Sequence, residues 1–213
     1  MAEVCEASGA DVIRLAAALA HDERIGGRFL SPGLGFGGGC LPKDIRAFRA
    51  TARALGVGSV DSFLSEVDTI NLSRRTRVTD LAREMVGGTL AGRHAAVLGI
   101  AFKPGSDDVR DSPSLAVCDQ LTADGAIVRV HDPVAMDNAA LVRPDLRYAD
   151  TVTEAAAGAD VVLHLTEWPD YRAIDPVALG QVVARRNVVD ARCGLDGEYW
   201  RSAGWVVRIL GRP

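Results

Sequence analysis

Residues 33–44 read GLGFGGGCLPKD, which sets a cysteine, a lysine and an aspartate directly behind five glycines. Cysteine is a nucleophile as its thiolate. Pro42 suits the first turn of a helix, so Cys40 falls just before a helix N-terminus. There, unpaired N–H groups and the macrodipole favour an anion and lower a thiol pKa from about 8.5. Lys43 adds positive charge, and Asp44 lies one turn on, within reach of whatever the sulfur carries. The glycines let the backbone press against a ligand and offer it bare N–H groups. This pattern predicts nucleophilic chemistry at Cys40 assisted by Asp44. A glycine-rich turn around a buried cysteine accounts for the same residues equally well. Gly33, Gly35 and Gly38 also spell G-x-G-x-x-G. No strand precedes them and no acid ends a strand about 20 residues later, so the dinucleotide match is weak.

The rest of the chain must position that loop. At 213 residues it has room for one large domain or two small ones. A net charge of −4 and no Lys/Arg run argue against nucleic acid. No apolar stretch is long enough to span a bilayer, and the start lacks the basic residues of a secretory leader, so the expected compartment is the cytoplasm. Cys5, Cys40, Cys118 and Cys193 form no CxxC, which excludes a zinc knot and a disulfide framework; no metal site is expected. Cys5 and Cys118 sit in apolar helical patterns and read as inert buried thiols.

Residues 1–87 read as helical. Val4, Val12, Leu15, Ala16 and Leu19 mark one face, interrupted at Gly9. Ile45, Phe48, Ala52 and Leu55 mark a second helix, and Phe63, Val67, Ile70, Val78, Leu81 and Met85 a long third one over 62–86. From residue 88 to 213, short Val/Ile/Leu runs alternate with helical stretches. The strands expected are HAAVLGIAF, AIVRVHD, ADVVLHLT, NVVDA and GWVVRIL. Such runs joined by crossovers predict an α/β fold with a Rossmann-like, doubly wound parallel sheet, whose ligands bind at the strands' carboxyl ends.

Three stretches together resemble the UDP-glucose/GDP-mannose dehydrogenase family. RIGGRFLSPGLGFGGGCLPKDIRAF (24–48) is similar to its active-site segment, AFKPGSDDVRDSPS (101–114) to the start of its UDP-binding domain, and VVDARCGLD (188–196) to a third signature. The cysteine loop is most similar to the UDP-glucose 6-dehydrogenase branch. The resemblance implies two successive NAD-linked oxidations of a sugar C6 alcohol to a carboxylate through a thioester on Cys40, with Asp44 handling the hydrolytic water. It implies that Phe29, Ser31, Gly33, Gly35, Phe36, Gly37, Phe102, Lys103 and Arg192 contact the nucleotide sugar, and that Arg24 reaches the substrate of a neighbouring subunit. Lys43 and Arg110 would meet NAD. It further implies a central dimerisation segment (1–87) ahead of a UDP-binding domain (88–213), with a homodimer through helix 62–86. Cys193 stands where the family commonly has a polar residue. The family's N-terminal NAD-binding domain, with its catalytic lysine, asparagine, glutamate and threonine, has no counterpart here. The chain is therefore expected to act with a separate N-terminal NAD-binding chain, or else as a non-catalytic UDP-sugar-binding and oligomerisation module. GDP-mannose and UDP-N-acetyl sugars stay open as substrates.

Overall fold

A computed structural model describes residues 1–212; Pro213, the last residue of the expected second domain, lies outside them. Two short helices lead, α1 (Ala2–Ser8) and α2 (Val12–Leu19). Gly9 stops α1 in the left-handed region (φ 73°), and the Asp11 carboxylate caps α2 by accepting from the Ile13 amide at 2.8 Å. Residues 20–40 are irregular, which corrects the expectation of an all-helical first part. Then come α3 (Leu41–Ala54) and α4 (Gly58–Met85). The long helix begins four residues before the predicted 62. It ends before Gly87 and Gly88, both at positive φ.

The remainder alternates: β1 (His94–Leu98), α5 (Pro113–Ala123), β2 (Ile127–His131), α6 (Met136–Val142), β3 (Arg147–Tyr148), α7 (Val152–Ala156), β4 (Val161–His164), α8 (Pro169–Arg172), α9 (Pro176–Leu179), β5 (Asn187–Asp190), α10 (Gly197–Ser202) and β6 (Val206–Ile209). The strands form one parallel sheet in the order β3-β2-β1-β4-β5-β6, doubly wound as expected. The apolar runs of β1, β4 and β5 are buried on both faces, as helices on each side of a parallel sheet require. The two-residue edge strand β3 carries no periodic signal and was not expected.

The helical part uses its apolar residues differently. Val12, Ile45, Ala52, Val78 and Leu81 are buried, whereas Val4, Leu19, Phe48, Leu55, Phe63 and Ile70, expected on the same stripes, are exposed. The C-terminal half of α4 packs on α5 and on the β4–β5 side of the sheet, and the Asn187 amide of β5 donates to the Met85 carbonyl at 3.3 Å. The N-terminal half, beside α3, has no such cover. Among the described residues no helix is long and apolar enough to cross a membrane.

Candidate active site

β1, β4 and β5 end side by side where the winding reverses, the place a doubly wound sheet leaves open for ligands. Past β1 the chain presents Phe102 and Lys103, past β4 Glu167, and past β5 Arg192. Two fully buried carboxylates fix these turns. Asp132 follows β2 and accepts from the Ile100 amide (2.8 Å), the Ala101 amide (3.0 Å) and the Trp168 indole (3.1 Å) on one oxygen. Its other oxygen accepts from the Val134 and Ala135 amides. Asp190 ends β5 and accepts from His164 Nδ1 (2.8 Å) and the amides of Arg192 (3.0 Å) and Leu195 (2.9 Å). Burial pushes the Asp190 carboxyl up, but those hydrogen bonds outweigh it and hold the group below the usual carboxylate range.

The glycine loop lies across this rim. Among the described residues, 31–39 lie in no helix or strand and make no hydrogen bond from main chain to main chain. Protein neighbours alone already demand glycine along this loop. A Cβ on Gly33 would sit 2.8 Å from the Ala191 carbonyl, one on Gly38 2.7 Å from the Phe102 ring, and one on Gly39 2.7 Å from the Arg110 guanidinium. Gly35 and Gly37 have no more room, against Asn71 and the Asp111 carbonyl. Gly35 (φ 91°) and Gly38 (φ 87°) also take backbone conformations that other residues resist. Among the described residues the non-glycine positions at positive φ are Phe29, Asp111 and Cys193, and all three border this region.

Between loop and rim lies a cleft of about 800 Å³. Phe29, Ser31, Gly33, Gly35, Phe36, Gly37, Phe102, Lys103 and Arg192 all line it, joined by Leu41, Asn71, Arg74 and Glu167. Arg192 is nearly enclosed. Its Nε donates to the Leu165 carbonyl (2.7 Å) and lies 3.3 Å from a Glu167 oxygen, one terminal nitrogen reaches the Gly35 carbonyl (3.4 Å), and the other has no partner. Burial presses its pKa down against the pull of Glu167 and Asp190. The Lys103 ammonium stands 5.4 Å from the centre of the Phe102 ring.

Cys40 is the N-cap of α3, and its thiol is exposed, which removes the buried-cysteine alternative. It immediately precedes Leu41 of the cleft wall. The Asp44 amide donates to the Cys40 carbonyl at 2.9 Å, so the Asp44 carboxylate sits one turn along, exposed, with Lys43 Nζ at 3.5 Å. Arg110 packs on Gly39 and pairs with Asp108 at 2.7 Å. Arg24 is not in its own chain's cleft; it is fully exposed and paired with Asp22 at 2.6 Å. Burial pushes the Cys118 and Cys193 thiols up to about 12, so neither competes as a nucleophile. Among the described residues no cluster of His, Cys, Asp and Glu is arranged to hold a metal.

Sequence reasoning missed Asn71, Glu167, Asp132 and Asp190. The two aspartates had a signal: VRVHD and NVVD both end a strand in an acid, at the edge where ligands bind. Asn71 had none, since a lone asparagine in a long helix reads as a solvated residue.

Comparison with known proteins fits this architecture. Residues 1–73 match the UDP-glucose/GDP-mannose dehydrogenase family, central domain, and residues 96–197 match its UDP binding domain. The UDP-glucose 6-dehydrogenase TuaD of Bacillus subtilis is 34% identical over 100% of this chain and 46% of its own length. AglM of Haloferax volcanii, also a UDP-glucose 6-dehydrogenase, is 39% identical over 93% of this chain and 46% of its own. A UDP-glucose dehydrogenase structure from Pyrobaculum islandicum superposes with a TM-score of 0.82 at 34% identity, over 96% of this chain and 44% of that one. The chain thus spans a little under half the length of these relatives.

Proposed function

Because this chain belongs to the UDP-glucose/GDP-mannose dehydrogenase family, we propose that it is the thiol-bearing, UDP-sugar-binding part of a UDP-glucose 6-dehydrogenase-type oxidoreductase. Its helical and UDP-binding domains would divide at 87/88. The observation that carries the reading is the cleft itself. Nine residues drawn from three separated sequence stretches line one cavity, and the enclosed Arg192 guanidinium there keeps a donor nitrogen unspent. A buried cation with a free donor suits a diphosphate or a sugar hydroxyl.

In this reading Phe102 and the glycine loop enclose the nucleotide sugar, while Lys103 and Arg192 meet its polar groups. The Cys40 thiolate adds to the C6 carbonyl, and the carbon stays on sulfur as a thiohemiacetal and, once oxidised, as a thioester. Asp44 orients the water that opens the thioester and takes its proton. The family's NAD, held outside this chain's sheet, would supply the hydride acceptor. This chain's own sheet does not fit that cofactor. Gly99, in the turn after β1, is packed hard against Thr166, and Asp132, where a dinucleotide fold places its ribose acid, spends both oxygens on five internal donors. Lys43 and Arg110 are solvent-facing near Cys40 and would meet a cofactor held by an N-terminal partner. The uncovered Phe48, Phe63 and Ile70 support a homodimer through α4, in which Arg24 would serve the neighbouring cleft.

Mixing the chain with an NAD-binding N-terminal half, UDP-glucose and NAD is expected to yield NADH and UDP-glucuronate; a folded pair that yields neither removes the enzyme reading. The missing dinucleotide cradle favours one second reading, a non-catalytic UDP-sugar-binding module. Calorimetric binding of UDP-glucose without turnover in that mixture would establish it, and no binding would end both.

A further inference from the structure

The glycine loop has to hold one shape although it has no strand or helix of its own. Residues 31–39 form no main-chain ladder among the described residues, and at Gly35 and Phe36 side chains take up the polar backbone groups instead. The centre of the loop receives four such bonds. Asn71 Oδ1 accepts from the Phe36 amide at 2.7 Å, and Asn71 Nδ2 donates to the Phe36 carbonyl at 3.1 Å. Arg75 donates to that same carbonyl at 3.5 Å, and Arg192 to the Gly35 carbonyl at 3.4 Å. One carboxamide therefore binds both main-chain groups of one residue, as a neighbouring strand would. Asn71 is buried and projects from the α4 face that also carries buried Arg75 and Val78. Its carboxamide also fills the space a Gly35 side chain would need.

We propose that Asn71 is a positioning residue: it acts as a one-residue template that fixes Gly35–Phe36, and through them the cleft wall leading to Cys40, before any ligand arrives. The helix supplies the rigidity. Asn71 sits in the middle of a 28-residue element whose far half is locked onto the sheet. The loop's ordering cost is then met on folding rather than on binding, which raises affinity without a new ligand contact. The proposal rests on the nucleotide-sugar reading for its ligand, but not for its geometry.

The test uses the full chain, with Asn71→Ala and the isosteric Asn71→Asp. Site-resolved amide hydrogen exchange is read at Phe36, with β1 and β4 amides as the folding control, and calorimetry reads UDP-glucose affinity. Asn71→Ala is expected to speed Phe36 exchange by about tenfold or more and to weaken UDP-glucose by about tenfold, while strand amides stay protected. Asn71→Asp keeps the acceptor for the Phe36 amide but loses the donor to its carbonyl. Phe36 should therefore stay protected while affinity falls, a split that general destabilisation does not produce. If Asn71→Ala fails to fold, that split in Asn71→Asp carries the test alone. Unchanged Phe36 exchange in Asn71→Ala, or unchanged affinity in both variants, overturns the proposal. If the unmodified chain does not bind UDP-glucose, the substrate reading falls, and Phe36 exchange still decides whether Asn71 templates the loop.

Discussion

The sheet rim and the helical segment are organised by opposite rules. At the rim every turn is tied to a buried carboxylate. Asp132 gathers five donors and Asp190 three, and the central strands β1, β4 and β5 are enclosed on both faces. In the helical segment the Cys40 thiol and its neighbouring acid are exposed, and large apolar side chains such as Phe48 and Phe63 face outward. The contrast teaches where stability and chemistry reside. The sheet rim is closed and pinned from within, whereas the helices turn a thiol, an acid and large apolar side chains outward.

Substitutions on either side can break that contrast. The largest effect is expected from Cys40→Ser in the reconstituted enzyme. Uronate output should fall by at least about a thousandfold, because the alkoxide needed is far harder to form than a thiolate. The melting temperature should hardly move, since the side chain is exposed; a drop of many degrees would make Cys40 structural instead. Next is Asp132→Ala, which strands five donors together, most of them buried, and should cost about 3–5 kcal/mol in urea unfolding. A loss under about 1 kcal/mol would show that the rim does not rely on its carboxylate. Gly38→Ala drives a methyl into the Phe102 ring at a strained φ and should cost about 1–3 kcal/mol. UDP-glucose binding should weaken in step, and unchanged affinity would detach the loop from the cleft.

The smallest effect is a pH dependence. Burial lowers the His131 pKa below 6.5, with nearby acids such as Asp132 only partly opposing it. The folded chain therefore binds fewer protons at this site than the unfolded chain. The stability it contributes is fully present above about pH 6.5 and is lost as pH falls through that value toward the lowered folded pKa. Urea midpoints should decline on going from pH 7 to 5.5, and His131→Gln should flatten that slope; an equal slope in the variant would assign the dependence to other groups.

The sheet was legible because its buried strands are unbroken Val/Ile/Leu runs between glycines, a pattern that survives any reshuffling of neighbours. The edge strand Arg147–Tyr148 was not, since two half-exposed residues carry no period. The stripes on α3 and α4 were legible as helix faces but not as covered or open. A phenylalanine at helical spacing looks the same whether its partner lies in this chain or outside it. The thiol, its acid and the cleft wall could be named through resemblance. Asn71 and the two rim aspartates could not, because their work is done across 35 residues or between separate strands, and no local spacing records such pairings.

A loop shaped by side chains rather than by a ladder has no register to preserve. Exchanging the anchors on α4 or after β5 would redraw the entrance to the cleft while leaving every strand pairing untouched. Within this architecture, then, the shape of the cleft can be revised one residue at a time on a scaffold that never has to be rebuilt.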